Sequence, residues 1–266
     1  MTIQTLVVTV DQRDALIAGR MNIQTDAIIG NQADFAGEER LTVNGHEVLF
    51  LTEHDRGVGR NRNRILERAS AELCVFADDD MCFVDGYPEL VARAFRECPE
   101  ADVIVFNLIE KEPRRYVNRR VFPVTYINYA RYGAARMAMR RQRVVDSGIR
   151  FSLLFGGGAK YGSGEDTIFL HECLKRGLKI VAVPYALAEI DQEADSTWFH
   201  GYDGKFFRDK GALYACLHDR TATLFCARYL VKYRGKYRKA YPARRAWRDM
   251  LSGIADYEKT AEEARQ

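Results

Sequence analysis

The chain has 266 residues, with 47% hydrophobic and 29% charged residues and a formal net charge of +3. This length and composition indicate a globular protein with a sizeable core, built as one large domain or as a domain with an appendage. No apolar run reaches the roughly 18 residues of a membrane-spanning helix, and the first residues lack a signal-peptide pattern, so we expect a cytoplasmic protein. The six cysteines include no C-x-x-C pair, which favours reduced core cysteines over a zinc site or a disulfide framework.

Strand and helix signals alternate through the first part of the sequence. Apolar runs predict strands at residues 6–10, 26–30 and 47–52, and helices are predicted at 14–20 and 64–70. Such alternation favours an α/β fold in which helices flank a mostly parallel, Rossmann-type sheet.

A segment from Gly57 to Asn63 joins the third predicted strand to the following helix. It combines Gly57 and Gly59 with Arg60 and Arg62. Backbone amides at a helix N-terminus and forked guanidinium groups suit phosphate oxygens. The alternative is that the glycines only allow the chain to change direction.

Residues 73–77 form an apolar run that ends in three adjacent carboxylates, Asp78, Asp79 and Asp80. The run predicts a buried strand. Ligands of open α/β sheets bind at the carboxyl ends of the strands, where these acids would lie. Three neighbouring carboxylates suit a hard divalent cation held together with substrate phosphates. The alternative is that they begin a turn or cap the next helix.

Beyond the triplet we predict a helix at 87–98, strands at 102–108 and 135–139, and a helix at 140–146. Residues 110–124 are polar and rich in arginine. We interpret them as a solvated loop, with contact to an anionic substrate as the alternative.

Five glycines between Gly156 and Gly164 lead directly to Glu165 and Asp166, at the start of a helix predicted over 167–176. Acidic residues in a first helical turn are favourable through the helix dipole alone. Glycine hinges before an acid pair are also typical of a loop that closes over substrate and brings in a general base.

Taken in order, these features resemble family 2 glycosyltransferases of the GT-A fold, which use sugar nucleotides to build polysaccharides. The resemblance covers about residues 3–215 and rests on the apolar first strand, an R-N pair before a helix, a strand ending in D-x-D, and G-E-D opening a later helix. It implies a GT-A catalytic domain at 1–215, followed by a helical, basic C-terminal extension at 216–266. The implied activity is inverting transfer of a sugar from a nucleotide-sugar, with a UDP-sugar expected, to a glycan or lipid-linked acceptor of surface polysaccharide synthesis.

The resemblance also implies a metal and a nucleotide site. Asp80, assisted by Asp78 or Asp79, would hold Mn²⁺ or Mg²⁺ against the pyrophosphate, and His200 is a further candidate ligand. Ala77 replaces the first acid of the D-x-D-D pattern common in the family, so the separate roles of Asp78 and Asp79 stay open. The implied nucleotide-sugar-binding residues are Thr9, Asp11, Arg62, Asp78 and Asp79.

Asp166 matches the acid assigned as catalytic base in the family, with Glu165 alongside. Trp198 is a candidate for stacking on an acceptor sugar, with plain packing as the alternative. The Q-x-x-R-W segment and membrane helices of processive family members are missing from this sequence, which favours single-sugar transfer.

The C-terminal part of the chain is strongly basic. Nine Lys or Arg and no acid lie between Arg228 and Arg248, so the remaining residues hold 31 basic against 37 acidic side chains. Residues 221–253 are predicted to be helical, with breaks near Gly235 and Pro242. Tyrosines at every fourth position, interleaved with cations, suit an anionic membrane surface, which would place the protein on the inner face of the plasma membrane. The alternatives are that the tyrosines pack on the catalytic domain and that the charge is simply solvated. The tyrosines are Tyr229, Tyr233, Tyr237 and Tyr241.

Two other functions fit parts of the sequence. The run ending in Asp78-Asp79-Asp80 approximates the D-x-D motif of haloacid-dehalogenase-type phosphatases and phosphotransferases, although that motif is expected on the first strand. A non-catalytic protein that binds nucleic acid through the basic tail would leave both acidic clusters unexplained. We therefore expect no nucleic-acid partner.

Overall fold

A computed structural model describes residues 1–112, 115–191 and 201–263 of the chain. Its ten strands form a single sheet with the spatial order β3-β4-β2-β1-β5-β9-β7-β10-β6, and β8 pairs with β10 at one side. The strands are β1 (Ile3–Val10), β2 (Asp26–Gln32), β3 (Gly37–Val43), β4 (His46–Glu53), β5 (Leu73–Asp78), β6 (Met81–Phe83), β7 (Val103–Ile109), β8 (Phe122–Val124), β9 (Met137–Arg140) and β10 (Ile180–Ile190).

The sheet is mixed, and six of its strands, β1, β2, β4, β5, β7 and β10, share one direction. Strand β1 is parallel to both β2 and β5, β2 is parallel to β4, and β7 is parallel to β10. Strand β9 is antiparallel to both β5 and β7 and lies between them, so β5 and β7 point the same way. The register places Val8 of β1 opposite Asp78 of β5, so the carboxyl ends of these two strands meet at one edge.

Helices cover both faces of the sheet. Ile65 and Leu66 pack on one face, and Val91 and Phe95 pack on the other. The helices are α1 (Ile17–Arg20), α2 (Val58–Arg68), α3 (Tyr87–Glu97), α4 (Arg141–Asp146), α5 (Glu165–Lys175), α6 (Gly204–His218), α7 (Ala222–Lys232), α8 (Arg234–Tyr237) and α9 (Ala243–Glu263).

The α/β architecture predicted from the sequence is confirmed, including the short strand β9 and the helix α4 that follows it. The sequence analysis missed four strands, β3, β6, β8 and β10. Strand β3 is charged and exposed, so it has no apolar run, but the Asn44-Gly45 turn that joins it to β4 is a recognisable hairpin signal. Both turn residues have positive φ, 51° and 82°.

The last four helices form a second layer with its own core. Phe207, Cys226, Tyr237 and Met250 from α6, α7, α8 and α9 are all buried in this core. The predicted tail helices and their breaks are confirmed. The predicted boundary between 215 and 216 falls inside α6, and the division into two domains stays a prediction. Within the described part of the chain, no helix combines the length and the apolar character needed to cross a membrane.

The tail tyrosines lie inside this helical layer. Tyr237 is fully buried, and its hydroxyl donates a hydrogen bond to the carbonyl of Leu230 at 3.1 Å. Tyr229, Tyr233 and Tyr241 pack against the same core. Packing within the protein therefore explains the four-residue repeat of tyrosines.

Helices α6 and α9 cross so closely that their backbones touch at glycines. A Cβ atom added to Gly253 would lie 1.9 Å from the carbonyl oxygen of Arg208, and one added to Gly211 would lie 2.0 Å from that of Met250. A side chain at either position would force the two helices apart.

We expect Gly253→Ala to lower the free energy of unfolding by about 1–3 kcal/mol, as for other overpacked sites. Gly235→Ala is the matched control, because its Cβ would meet no atom within 4 Å and alanine favours a helix by about 0.5–1 kcal/mol over glycine. Denaturant unfolding of both variants measures the difference. Equal stability of the two variants would contradict the close crossing.

Candidate active site

Arg62 joins the two acidic clusters that the sequence places far apart. Its buried guanidinium lies with Nη2 2.8 Å from Oδ1 of Asp78, at the end of β5. Nη1 lies 3.0 Å from Oε1 of Glu165 and 2.7 Å from Oδ1 of Asp166, in the first turn of α5. The guanidinium also lies over the ring of Phe151, 5.4 Å from its centroid. The acids predicted as metal ligand and as catalytic base therefore share one site.

The glycine segment before Arg62 packs against the second glycine-rich segment. The amide of Val58 donates a hydrogen bond to the carbonyl of Gly157 at 2.9 Å, and a Cβ on Gly59 would lie 2.2 Å from the carbonyl oxygen of Ser152. Asn63 hydrogen-bonds both backbone groups of Phe151. These contacts orient Arg62 towards the acids, and they favour the structural interpretation of this segment over a phosphate cradle.

Three carboxylates facing one guanidinium leave an excess of negative charge. Burial lowers the pKa of Arg62, but Asp166, Asp78 and Glu165 outweigh it and hold that pKa above its ordinary value. Burial raises the pKa of Asp166 to about 7, opposed by Arg62 and assisted by Glu165 and Asp78. The excess negative charge and the burial together make Asp166 easier to protonate than an ordinary aspartate.

Asp166 and Glu165 differ in their access to solvent. The side chain of Asp166 retains 24% exposure, whereas that of Glu165 retains 11%. Glu165 also accepts a hydrogen bond from the amide of Gly164 at 3.1 Å. Asp166 is therefore the acid of this pair that a substrate can reach, and Glu165 holds the turn and Arg62 in place.

The remaining acids of the triplet have different surroundings. The hydroxyl of Thr9 donates to Oδ2 of Asp79 at 2.5 Å, which links the ends of β1 and β5. Burial raises the pKa of Asp80 to about 6, together with Asp78 and Asp79, and Arg115 opposes this rise. Oδ1 of Asp80 is buried and has no hydrogen-bond partner among the described residues. Asp80 thus presents an unused oxygen ligand at the sheet edge.

Asp11 closes the first strand in a left-handed conformation, with φ of 53°. Its carboxylate pairs with Arg56 at 2.8 Å, and Arg56 also donates to the carbonyl of Gln32 at 2.9 Å. Asp11 lines an open groove of about 660 Å³ beside the first loop, together with Gln12 and Leu16. The predicted nucleoside-binding residues Thr9 and Asp11 therefore lie at the same sheet edge as the triplet.

Two cations near the site were not among the predicted site residues, although contact with an anionic substrate was the alternative for the segment that contains Arg115. Arg56 directly precedes the glycine segment, and its only sequence signal is that position. Arg115 belongs to the Arg-rich segment that was interpreted as a solvated loop, yet it lies close enough to Asp80 to lower its pKa. Arg115 is paired with Glu110 at the end of β7.

Two predicted site residues lie outside the described residues, Trp198 and His200, and both stay predictions. No group of three or more His, Cys, Asp or Glu side chains arranged to hold a metal occurs in ranges 1–112, 115–191 and 201–263. Asp80 and Asp78, the other predicted metal ligands, lie among the described residues, and Asp78 already gives one oxygen to Arg62.

The glycine-rich segment that leads to Asp166 is tied to the helical layer. The amide of Gly162 donates to Asp209 of α6 at 2.8 Å, and the hydroxyl of Tyr161 donates to Asp256 of α9 at 2.8 Å. Lys160 pairs with Asp256 at 3.0 Å. In this conformation the segment is braced from both helices.

Comparison with solved structures finds a similar fold. The structure of Staphylococcus aureus TarS residues 1–349 in complex with UDP-GlcNAc matches with a TM-score of 0.61 at 15% identity, over 90% of this chain and 74% of that chain. The fold is similar to that of TarS. The GT-A-like fold predicted from the sequence is thereby confirmed. The TarS 1–349 complex with UDP matches with a TM-score of 0.60 over the same shares of both chains, also at 15% identity. No protein-family model and no curated protein matches the sequence.

We expect Arg62→Met to lower the free energy of unfolding at neutral pH by about 2–4 kcal/mol, because it leaves Glu165 and the partly exposed Asp166 and Asp78 without their cation. Arg64→Met is the matched control on the same helix, since Arg64 makes a more exposed pair with Asp55 at 3.0 Å and such pairs contribute about 0–1 kcal/mol. Urea unfolding measures both. Similar losses in the two variants would show that the Arg62 cluster does not hold the site together.

We expect Asp80→Asn to stabilise the protein at pH 8 by about 1–2 kcal/mol and to leave it unchanged near pH 4. The pKa of Asp80 is raised to about 6, so ionising it in the folded state costs free energy as the pH rises through that value. The expected gain in stability is kept small because the side chain of Asp80 is partly exposed, so that solvent screens its charge. Asp34→Asn, in an exposed pair with Arg13, is the control. If Asp80→Asn and the parent protein have the same free energy of unfolding at every pH, ionised Asp80 does not destabilise the folded protein.

Proposed function

We propose that this protein is a glycosyltransferase that moves a sugar from a nucleotide-sugar, with UDP as the nucleotide, to a hydroxyl of a glycan or lipid-linked acceptor in surface polysaccharide synthesis. The observation that carries the proposal is the Arg62 cluster, which brings Asp78 and Asp166 into one site. The fold similarity to TarS, which was solved with UDP-GlcNAc and with UDP, supports the same class of donor.

The donor would lie along the carboxyl edge of β1 and β5. Asp11 and Thr9 would face the nucleoside, with Asp11 held by Arg56 beside the open groove. Arg115 would face the diphosphate, because its charge already reaches Asp80. Guanidinium groups suit phosphate oxygens through charge and paired donors. Arg62 would position the acids and would not bind the nucleotide directly, since both of its terminal nitrogens are engaged by carboxylates.

The chemistry of the triplet fits a divalent cation. The buried, unpartnered oxygen of Asp80 and the raised pKa of its carboxyl group both favour a nearby positive charge. Asp80, with the second oxygen of Asp78, would hold Mn²⁺ or Mg²⁺, which commonly bind one or two carboxylates plus substrate phosphates. When bound, the ion would neutralise negative charge on the diphosphate.

Asp166 would act as the general base. Its pKa of about 7 and its partial exposure suit a group that must accept a proton near neutral pH. The acceptor hydroxyl would give its proton to Asp166 while its oxygen forms a bond to the anomeric carbon. The bond from that carbon to the diphosphate would break, with the electron pair staying on the leaving oxygen. Direct displacement of this kind inverts the anomeric centre.

The two alternatives from the sequence gain less support. A phosphatase of the haloacid dehalogenase type would use the first acid of its motif as a nucleophile, whereas Asp78 is engaged by Arg62. Its motif is expected on the first strand, whereas here it follows β5. Nucleic-acid binding through stacked tyrosines is not supported, because the tail tyrosines pack in the helical core.

We expect UDP with Mn²⁺ to raise the Tm of the protein, because a ligand of the folded state at a hundred times its Kd adds about 2.7 kcal/mol of stability. Asp80→Ala should lose the metal-dependent part of this shift. Asp166→Asn should keep the shift but lose slow hydrolysis of UDP-sugars. Thermal unfolding with UDP, GDP or inorganic phosphate, each with and without Mn²⁺, makes the measurement, and Asp34→Ala is the control. A shift with phosphate alone and none with either nucleotide would support the phosphatase instead.

A further inference from the structure

The outward face of α7 carries two of the most exposed aliphatic side chains of the protein. Leu224 is 70% exposed and Val231 is 78% exposed. With Arg228 they occupy positions i, i+4 and i+7, which lie on one side of a helix. The opposite side of the same helix, with Ala222, Cys226 and Leu230, is buried in the helical core. This helix is therefore held in place by one face and presents the other to solvent.

Two basic side chains lie on α7, and four more follow it in the sequence. The sequence between Arg220 and Arg248 contains no Asp or Glu. The cations on the surface of α7, α8 and the turn that follows are exposed, so their charge is available to a partner. They are Arg228, Lys232, Arg234, Lys236, Arg238 and Lys239.

Packing has sorted the aromatic and aliphatic side chains to opposite sides. Tyr229, Tyr233 and Tyr237 turn inward to the helical core, whereas Leu224 and Val231 turn outward. A single-stranded nucleic acid would need exposed aromatic rings for its bases to stack on. Exposed aliphatic side chains next to exposed cations of the same helix instead suit the boundary between acyl chains and anionic headgroups.

We propose that this α7 face, defined as Leu224, Arg228, Val231 and Lys232, binds the surface of a bilayer that contains anionic lipid. The helix lies along the membrane plane, the two aliphatic side chains enter the acyl boundary, and the cations meet the lipid phosphates. The proposal rests on this surface and not on the nucleotide-sugar site, so either can fail without the other. If both hold, the active site works beside a membrane, where a lipid-linked acceptor is confined.

Flotation of the full chain with vesicles tests the proposal. We expect the protein to float with vesicles of phosphatidylcholine mixed with an equal amount of phosphatidylglycerol, and to stay behind with phosphatidylcholine alone. Raising the salt concentration should weaken binding, because exposed charges are screened within a Debye length of about 10 Å at 0.1 M. Equal binding to the two kinds of vesicle, or binding to neither, would overturn the proposal.

Paired variants separate the charged from the apolar contribution. Arg228→Gln with Lys232→Gln should weaken partition about 30-fold, since each cation near an anionic surface contributes about 1 kcal/mol and 1.4 kcal/mol is a factor of ten. Arg96→Gln with Arg176→Gln, two exposed arginines outside the tail, is the matched control and should leave partition unchanged.

Leu224→Ser with Val231→Ser should also lower the vesicle-bound fraction at least about tenfold, given the transfer free energy of buried aliphatic groups. Val145→Ser with Leu153→Ser, at two other exposed aliphatic positions, is the control. The UDP-dependent Tm shift should be the same in all four variants. The Leu224→Ser, Val231→Ser double variant could instead keep vesicle binding and lose a concentration-dependent dimer or binding to an RNA oligonucleotide. In that case the α7 face serves that partner, and the proposal is wrong.

Discussion

The ion cluster around Arg62 is the interaction on which the candidate site depends. A guanidinium buried in α2 contacts carboxylates from the end of β5 and from the first turn of α5. A buried charge is tolerated only when it is paired, so these three elements must keep their relative positions for the guanidinium of Arg62 to stay buried. Because three acids face one cation, the cluster retains negative charge, and the raised pKa of Asp166 follows from that imbalance together with burial. The same ion cluster therefore holds the three elements together and raises the pKa of the residue proposed to accept the proton.

The helical layer supports the same site by holding the glycine-rich segment that precedes Asp166. Asp209 and Asp256 hold the glycine-rich segment through Gly162 and Tyr161, and that segment delivers Asp166 to Arg62. The two helices that carry these acids meet at Gly211 and Gly253, where backbone contact fixes their separation. The close crossing of α6 and α9 therefore sets the position of the glycine-rich segment before Asp166. The helical layer is therefore part of the architecture of the site, and the outward cations of α7 and α8 are additional to that role.

The α/β class and most strands and helices of the central sheet could be predicted from the amino-acid sequence. Buried strands and amphipathic helices leave periodic apolar patterns that depend only on local geometry. Charged or short strands such as β3 and β6 left no such pattern, since their place in the sheet comes from pairing with neighbours. The sequence also named the acids at 78–80 and 165–166. It predicted Arg62 as a nucleotide-binding residue, which stays a prediction. It could not show the contacts of Arg62 with both acidic clusters, because these are set by the tertiary fold.

The tail shows the same division. The order of residues was enough to predict that the segment is helical and strongly basic, with a tyrosine at every fourth position. Which side of each helix faces inward is seen only in the folded protein, where Tyr237 is buried and Leu224 and Val231 are exposed to solvent. The physical reason is that a helical period places side chains on a common face, whereas the identity of the buried face depends on which neighbouring helix covers it. The charge of a segment is a property of its sequence, but the surface on which that charge appears is a property of the packed chain.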